Sequence, residues 1–272
     1  MITWLHTFYP QAIMLNLGPI TIYWYGLFIV LGISAALLVT LKIARYYQLN
    51  RDIVFDISFW LIINGLIGAR LYEVLLEFPY YLSNPLSVFK VWEGGLAIHG
   101  AMLAGILTII YFARKEKISF WTLSALFVPG LAIGQAIGRW GNYFNQELFG
   151  RPTRLPWGIP INILNRPEAY KSFTFFHPTF LYESLGLIII FIILLALTFI
   201  LLKDKKNISK EPLIITSTYL ILASVLRFSL EYIKVDQTPL FFSWRWPQFF
   251  SLIIILSAIL SLIFNFHANK KR

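Results

Sequence analysis

The chain has 272 residues, 58% of them hydrophobic and only 13% charged, with a formal net charge of +10 and no cysteine. A soluble protein of this length needs far more surface charge, and the lack of Cys excludes disulfides, thiol nucleophiles and thiolate metal sites. The basic residues lie in short clusters beside the ends of apolar runs rather than on one face. They therefore read as topology signals and contacts to anionic membrane lipids, with no nucleic acid as partner.

The apolar residues come in runs near 20 long, the length that crosses about 30 Å of hydrocarbon as helix. This predicts an all-α fold, a polytopic membrane helical bundle in one integral membrane domain over 1–272. Residues 1–17 lack the basic start of a cleavable signal peptide, and Trp4, Phe8, Tyr9 and Pro10 suit the outer membrane interface. Span one is expected at 18–40, where Tyr23-Trp24-Tyr25 precedes Gly26 and places the Tyr25 hydroxyl in the outer leaflet. Span two, 53–77, contains Arg70 and Glu73, spaced to pair on one face. Span three, 94–113, opens on Gly94 and Gly95 and carries His99 followed by Gly100, glycines that let backbone or substrate approach closely. An imidazole there can take a proton at physiological pH, so His99 is a candidate general base.

Span four, 120–138, has Gly130, Gly134 and Gly138 every four residues, a smooth ridge for close helix approach. Arg139, Asn142, Asn145, Gln146 and Glu147 follow at once, a density of hydrogen-bonding groups that snorkelling to headgroups does not require. They open the longest loop region, 139–177, whose prolines and Trp157 argue for a fixed path. His177-Pro178 opens span five, 178–202, with Glu183 further in and Pro178 at a natural first-turn position. Arg227 and Glu231 stand four apart near the end of span six, 212–231, and span seven covers 248–266.

Seven spans put the termini on opposite sides. Lys42, Arg45 and Arg51, then Arg114, Lys115 and Lys117, then Lys203, Lys205, Lys206 and Lys210, and finally Lys270, Lys271 and Arg272 all fall on one side. That side is cytoplasmic by the positive-inside rule, so the N-terminus and loops 78–93, 139–177 and 232–247 face outward and the C-terminus is cytoplasmic. Arg70, His99, Arg139, Asn142, Glu147, His177, Glu183, Arg227 and Glu231 then map to the outward half of the membrane. Arginines and amides converging there suit a phosphate-bearing lipid head, because Arg grips phosphate oxygens bidentately and keeps its charge. Four His without an HExxH or a helically spaced His pair give no metal site, and neither a phosphate loop nor a GxSxG elbow is present.

The run Gly138-Arg139-Trp140-Gly141-Asn142-Tyr143-Phe144-Asn145-Gln146-Glu147-Leu148-Phe149-Gly150 resembles the signature of the bacterial prolipoprotein diacylglyceryl transferases. Trp24-Tyr25-Gly26, the Trp92 to Gly100 segment, His177-Pro178 with Leu181-Tyr182-Glu183, and Arg227 with Glu231 match in order along nearly the whole chain. The resemblance implies transfer of the diacylglyceryl group of phosphatidylglycerol to the lipobox cysteine thiol in a preprolipoprotein signal peptide. A thioether forms and glycerol phosphate leaves. It implies no metal or other cofactor, and a multi-pass protein of the bacterial cytoplasmic membrane with its active site outward. On the family pattern His99, Arg139 and Arg227 are catalytic, the arginines neutralising the phosphate and His99 leading as proton acceptor. Tyr25, Asn142, Glu147, Gly150, His177, Glu183 and Glu231, with the two arginines, would bind substrate.

Three positions depart from that pattern. Ser124 and Ala125 stand where many members carry an Asp, Phe180 where many carry Gln, and Ala223 where some carry Tyr, with Tyr219 one turn earlier. The competing expectation is a lipid transporter or flippase of the inner membrane, which would place polar groups at the midplane between inverted repeats; no repeat is visible.

Overall fold

The computed structural model describes residues 2–18, 20–203 and 211–270, so Lys205, Lys206, Lys210, Lys271 and Arg272 of the expected cytoplasmic clusters lie outside the described residues. It divides into two compact units, Met1–Val39 with Phe127–Arg272, and Thr40–Leu126. Both boundaries fall inside helices. In chain order the elements begin with α1 (Ile2–Thr7), β1 (Ile13–Leu17), β2 (Ile20–Tyr23), α2 (Trp24–Ala44), α3 (Arg51–Leu76) and α4 (Phe78–Ser83). There follow α5 (Ile98–Lys115), α6 (Phe120–Asn145), β3 (Ile159–Pro160), β4 (Phe175–Phe176), α7 (Thr179–Lys203), α8 (Glu211–Leu230), β5 (Leu240–Phe241), β6 (Trp244–Arg245) and α9 (Trp246–Lys270).

The chain is an all-α polytopic membrane protein. Six described helices, α2, α3, α6, α7, α8 and α9, are long and apolar enough to cross a membrane. Expected span three is α5, which has 18 residues and keeps Arg114 and Lys115 in its last turn. It starts four residues later than expected, because Gly94 and Gly95 take φ of +92° and +69° and cannot continue a right-handed helix. Span one also starts later, at Trp24, since Ile13–Leu17 and Ile20–Tyr23 pair as antiparallel strands. Span four runs on to Asn145, so the first seven residues of the expected loop 139–177 are helix.

In the first unit, the backbones of α2 and α6 touch. A Cβ on Gly32 would lie 2.8 Å from the Gly134 carbonyl oxygen, whereas one on Gly138 would meet nothing within 4 Å, so the glycine ridge is used at Gly134 and not at Gly138. Ser184 of α7 donates to the Ala136 carbonyl at 2.8 Å, and Gly186 lets Leu226 of α8 pack closely. Beyond the ends of α6 and α7, loop 146–178 folds over an aromatic core of Leu5, Tyr143, Phe149, Ile159, Ile161, Phe176 and Phe180. The N-terminal segment docks on this loop: His6 stacks on Phe175 at 3.9 Å and bonds to the Gly158 carbonyl. Gln146 ties both together, donating to Pro10 at 2.7 Å and accepting from the Asn162 amide. The Gln146 side chain is thus a structural tie.

In the second unit α3 and α5 approach at Gly68 and Gly100, where a Cβ on Gly100 would sit 2.1 Å from the Gly68 carbonyl oxygen. With little hydrophobic drive between helices in lipid, such small-residue contacts and the Asn64 to Thr108 bond at 3.0 Å hold the pair.

Candidate functional site

The last two turns of α6 project Arg139, Asn142 and Asn145 at spacings of three, which puts them on one side of the helix. Arg139 Nη1 donates to Asn142 Oδ1 at 3.2 Å, and buried Asn142 donates through Nδ2 to Glu147 Oε1 at 2.7 Å. Both polar ends of Asn142 are therefore fixed, which defines the orientation of its amide. The Tyr25 hydroxyl lies within electrostatic range of Asn142, Glu147 and Arg139. Tyr25 reaches there because residue 141 is glycine: a Cβ would fall 1.9 Å from Tyr25 Cδ2. Gly141→Ala improves helix propensity yet drives the phenol away. We expect it to lower transfer in initial-rate assays, through about 1 to 3 kcal/mol of overpacking; an unchanged rate would show that the seat of Tyr25 is irrelevant.

Glu183, in the second turn of α7, joins α6 to the segment after α8. Its Oε1 pairs with Arg139 Nη2 at 2.8 Å and its Oε2 with Lys234 Nζ at 3.5 Å. On the same unit, Glu231 is fully buried and pairs with Arg227 at 3.4 Å and with Arg245 at 3.5 Å. Four cations thus share two buried carboxylates, and each carboxylate compensates its two partners only in part. Lys234 is held below the usual lysine range, first by burial and further by Arg227 and Arg139, with Glu183 and Glu231 opposing. That balance places all five charges in one electrostatic cluster.

The guanidinium groups differ in what they have left to give. Arg245 donates to the carbonyls of Glu231, Lys234 and Asp236 and to Thr238, so it is spent on shaping the 231–238 turn. Arg139 keeps a buried Nε without a partner among the described residues, and Arg227 there makes only the Glu231 contact. Both remain about one-third exposed, with side-chain values of 28% and 33%. These two have donors free for an anion.

His177 and Gly150 pack against each other: the Gly150 amide donates to the His177 carbonyl at 2.9 Å, and a Cβ on Gly150 would lie 2.8 Å from that of His177. Gly150 also pairs with Lys234 as an isolated bridge. The Tyr182 hydroxyl accepts from Trp157 Nε1 at 2.8 Å and lies within hydrogen-bond distance of His177 Nδ1, at 3.1 Å. Burial pushes the His177 imidazole below the usual range.

Of the expected site residues, Tyr25, Arg139, Asn142, Glu147, Glu183, Arg227 and Glu231 converge, with Gly150 and His177 beside Lys234. His99 belongs to the other unit, where it is exposed on the first turn of α5 with its ring 5.9 Å from Tyr72. Arg70 does not pair with Glu73 and has no donor for phosphate, because all five of its N–H groups go to backbone carbonyls. Lys234 and Arg245 carry no signal in the sequence that marks them as site residues. Only the burial of Lys234 and the return of Arg245 through the β5–β6 hairpin reveal them.

The departures from the family pattern are accommodated. Phe180 fills the aromatic core against Trp140 and Tyr143, Tyr219 reaches Gln135 of α6 at 3.0 Å from one turn before Ala223, and Ala125 is fully buried.

Residues 12–264 match the family model described as prolipoprotein diacylglyceryl transferase. Three similar curated proteins are each named phosphatidylglycerol–prolipoprotein diacylglyceryl transferase. That of Trichormus variabilis is 41% identical over 85% of this chain and 81% of its own length. That of Synechococcus elongatus is 39% identical over 93% and 87%, and that of a Synechocystis species 37% over 96% and 91%. With the match running from the β1–β2 hairpin into α9, the chain belongs to the prolipoprotein diacylglyceryl transferase family.

Proposed function

We propose that this chain transfers the diacylglyceryl group of phosphatidylglycerol to the lipobox cysteine thiol of a preprolipoprotein. It is an enzyme of lipoprotein biosynthesis that acts on phosphatidylglycerol and prolipoprotein, and family membership favours this over a lipid transporter. The observation that carries the site assignment is the pair Arg139 and Arg227, each held by a buried carboxylate and each with guanidinium donors left over.

In the proposed reaction the thiol loses its proton and sulfur attacks the glyceryl carbon bonded to the phosphate oxygen. A C–S bond forms, the C–O bond breaks, and the electron pair leaves on glycerol phosphate. Arg139 and Arg227 stabilise the charge that develops on the phosphate; donors already in place at such a position are the largest usual contribution to catalysis. Asn142 and Tyr25, with Glu147 at the exposed rim, orient the headgroup, while Gly150 and His177 shape the wall beside it. On the family pattern His99, on α5, takes the thiol proton. Counting α5 as a seventh span, the positive-inside rule favours an outward N-terminus and a site in the outward half of the cytoplasmic membrane.

Purified protein should form a thioether on a lipobox peptide from phosphatidylglycerol without added metal or nucleotide, read by mass spectrometry. No product from folded protein would remove the transferase reading. His99→Gln should slow transfer by about 10²- to 10⁴-fold, the usual worth of a general base, and leave phosphatidylglycerol binding intact. Lost binding would make His99 a binding or structural residue instead.

A further inference from the structure

Arg70 is a buried cation, 6% exposed, and its partners are all backbone. Nε donates to Val88 at 2.9 Å, Nη1 to Gly94 at 2.6 Å and Gly95 at 2.8 Å, and Nη2 to Ser87 and, at 3.3 Å, to Lys90. The Tyr81 ring covers the guanidinium at 5.1 Å. One side chain of α3 thus gathers the carbonyls of residues 87–95, the segment that leads into α5.

Two further contacts from the same stretch of α3 fix where α5 begins. The Ala69 carbonyl accepts from the Ala97 amide at 3.1 Å, and Gly68 meets Gly100 backbone to backbone. His99 lies between these two points, and the Tyr72 ring stands next to it. Gly94 and Gly95 supply the left-handed turn that aims two consecutive carbonyls at one nitrogen. A Cβ on Gly95 would come 2.7 Å from Arg70 Nη1 and 3.1 Å from the Tyr81 hydroxyl. What approaches the paired glycines is therefore the Arg70 guanidinium.

We infer that Arg70 is a positioning residue for the transfer reaction: by gathering the 87–95 carbonyls onto α3 it sets the place of His99. This rests on the proposed role of His99. Lysine cannot replace it, since an ammonium has three donors and no planar fork, whereas five converging carbonyls need all five N–H groups. The charge survives in Arg70→Lys, but the geometry of the segment does not.

The test uses the full-length protein with phosphatidylglycerol and a lipobox peptide, comparing Arg70→Lys, Gly95→Ala, His99→Gln and the double variants with His99→Gln. Arg70→Lys and Gly95→Ala are each expected to lower kcat about a hundredfold, the usual effect of an ångström-scale misplacement, with KM for phosphatidylglycerol near its original value. In the His99→Gln background the same changes should cost almost nothing more, because they act through that residue. Hydrogen exchange should show lost protection at residues 94–100 with the interiors of α3 and α5 still protected. Retained kcat, additive losses in the double variants, or loss of protection throughout α3 and α5 would each overturn the inference. If His99→Gln itself leaves the rate unchanged, the base assignment fails instead. The exchange data then decide alone whether Arg70 holds the segment.

Discussion

Arg139→Ala is expected to abolish transfer. The substitution removes the guanidinium that ties Asn142 to Glu183 and takes away one of the two side chains with donors left for phosphate. It also leaves the Glu183 carboxylate buried with Lys234 as its remaining ion pair, at 3.5 Å. Removing one partner of a buried pair costs about 3 to 5 kcal/mol. If that loss appears in the transition state, the rate falls by roughly two to four orders of magnitude. Arg139→Lys should recover little, because a single ammonium cannot serve Asn142, Glu183 and a phosphate in the fixed directions that the guanidinium does. The measurement is kcat/KM for thioether formation beside a binding assay for phosphatidylglycerol. Retained activity in Arg139→Ala would sink the phosphate role.

Glu231→Ala is expected to act on fold and activity together. Its carboxylate is fully buried, and it is the shared counter-ion of Arg227 and Arg245. Without it two cations face each other across a cavity, again at a cost of about 3 to 5 kcal/mol, a large part of the stability of an ordinary domain. Arg245 retains its carbonyl partners and the Asp236 contact at 3.3 Å, so the 231–238 turn should survive better than the placement of Arg227. The expected result is a lowered unfolding midpoint in detergent and a rate near that of Arg227→Ala. A variant as stable and active as the parent would show that Glu231 does not hold Arg227.

The membrane architecture was legible because an apolar run near 20 residues long matches the thickness of the hydrocarbon layer and exceeds what a soluble core usually buries in one helix. Five of the seven expected spans match helices within a few residues. The misses have local causes. The apolar run that continues into α2 hid the turn signal of Gly18-Pro19, and the pairing of β1 with β2 shows that α2 waits until Trp24. The polarity of Arg139 to Asn145 made them look like loop, yet they are the last two turns of α6, where Asn142 and Arg139 find Glu147 and Glu183 as partners. Arg70 and Glu73 had the spacing to pair; the carbonyls that won Arg70 come from a segment 17 to 25 residues away, beyond the reach of a periodicity argument.

The candidate site was legible where its residues lie on one helix and illegible where the chain returns. Arg227 and Glu231 announce themselves by spacing, and the Arg139 to Glu147 run by density. Lys234 and Arg245 read as ordinary loop cations until Glu183 and Glu231 are seen to need them. Gly141 had no visible reason in sequence, and the close approach expected at Gly95 did not name its partner; the first makes room for Tyr25 and the second for Arg70.

In the proposed reaction Arg139 and Arg227 seat the phosphate of the lipid donor. The test is an experimental structure of the full chain with phosphatidylglycerol. Phosphate oxygens are expected within hydrogen-bond distance of both guanidinium groups, with Asn142 and Tyr25 beside the headgroup. A phosphate bound away from both arginines would contradict it.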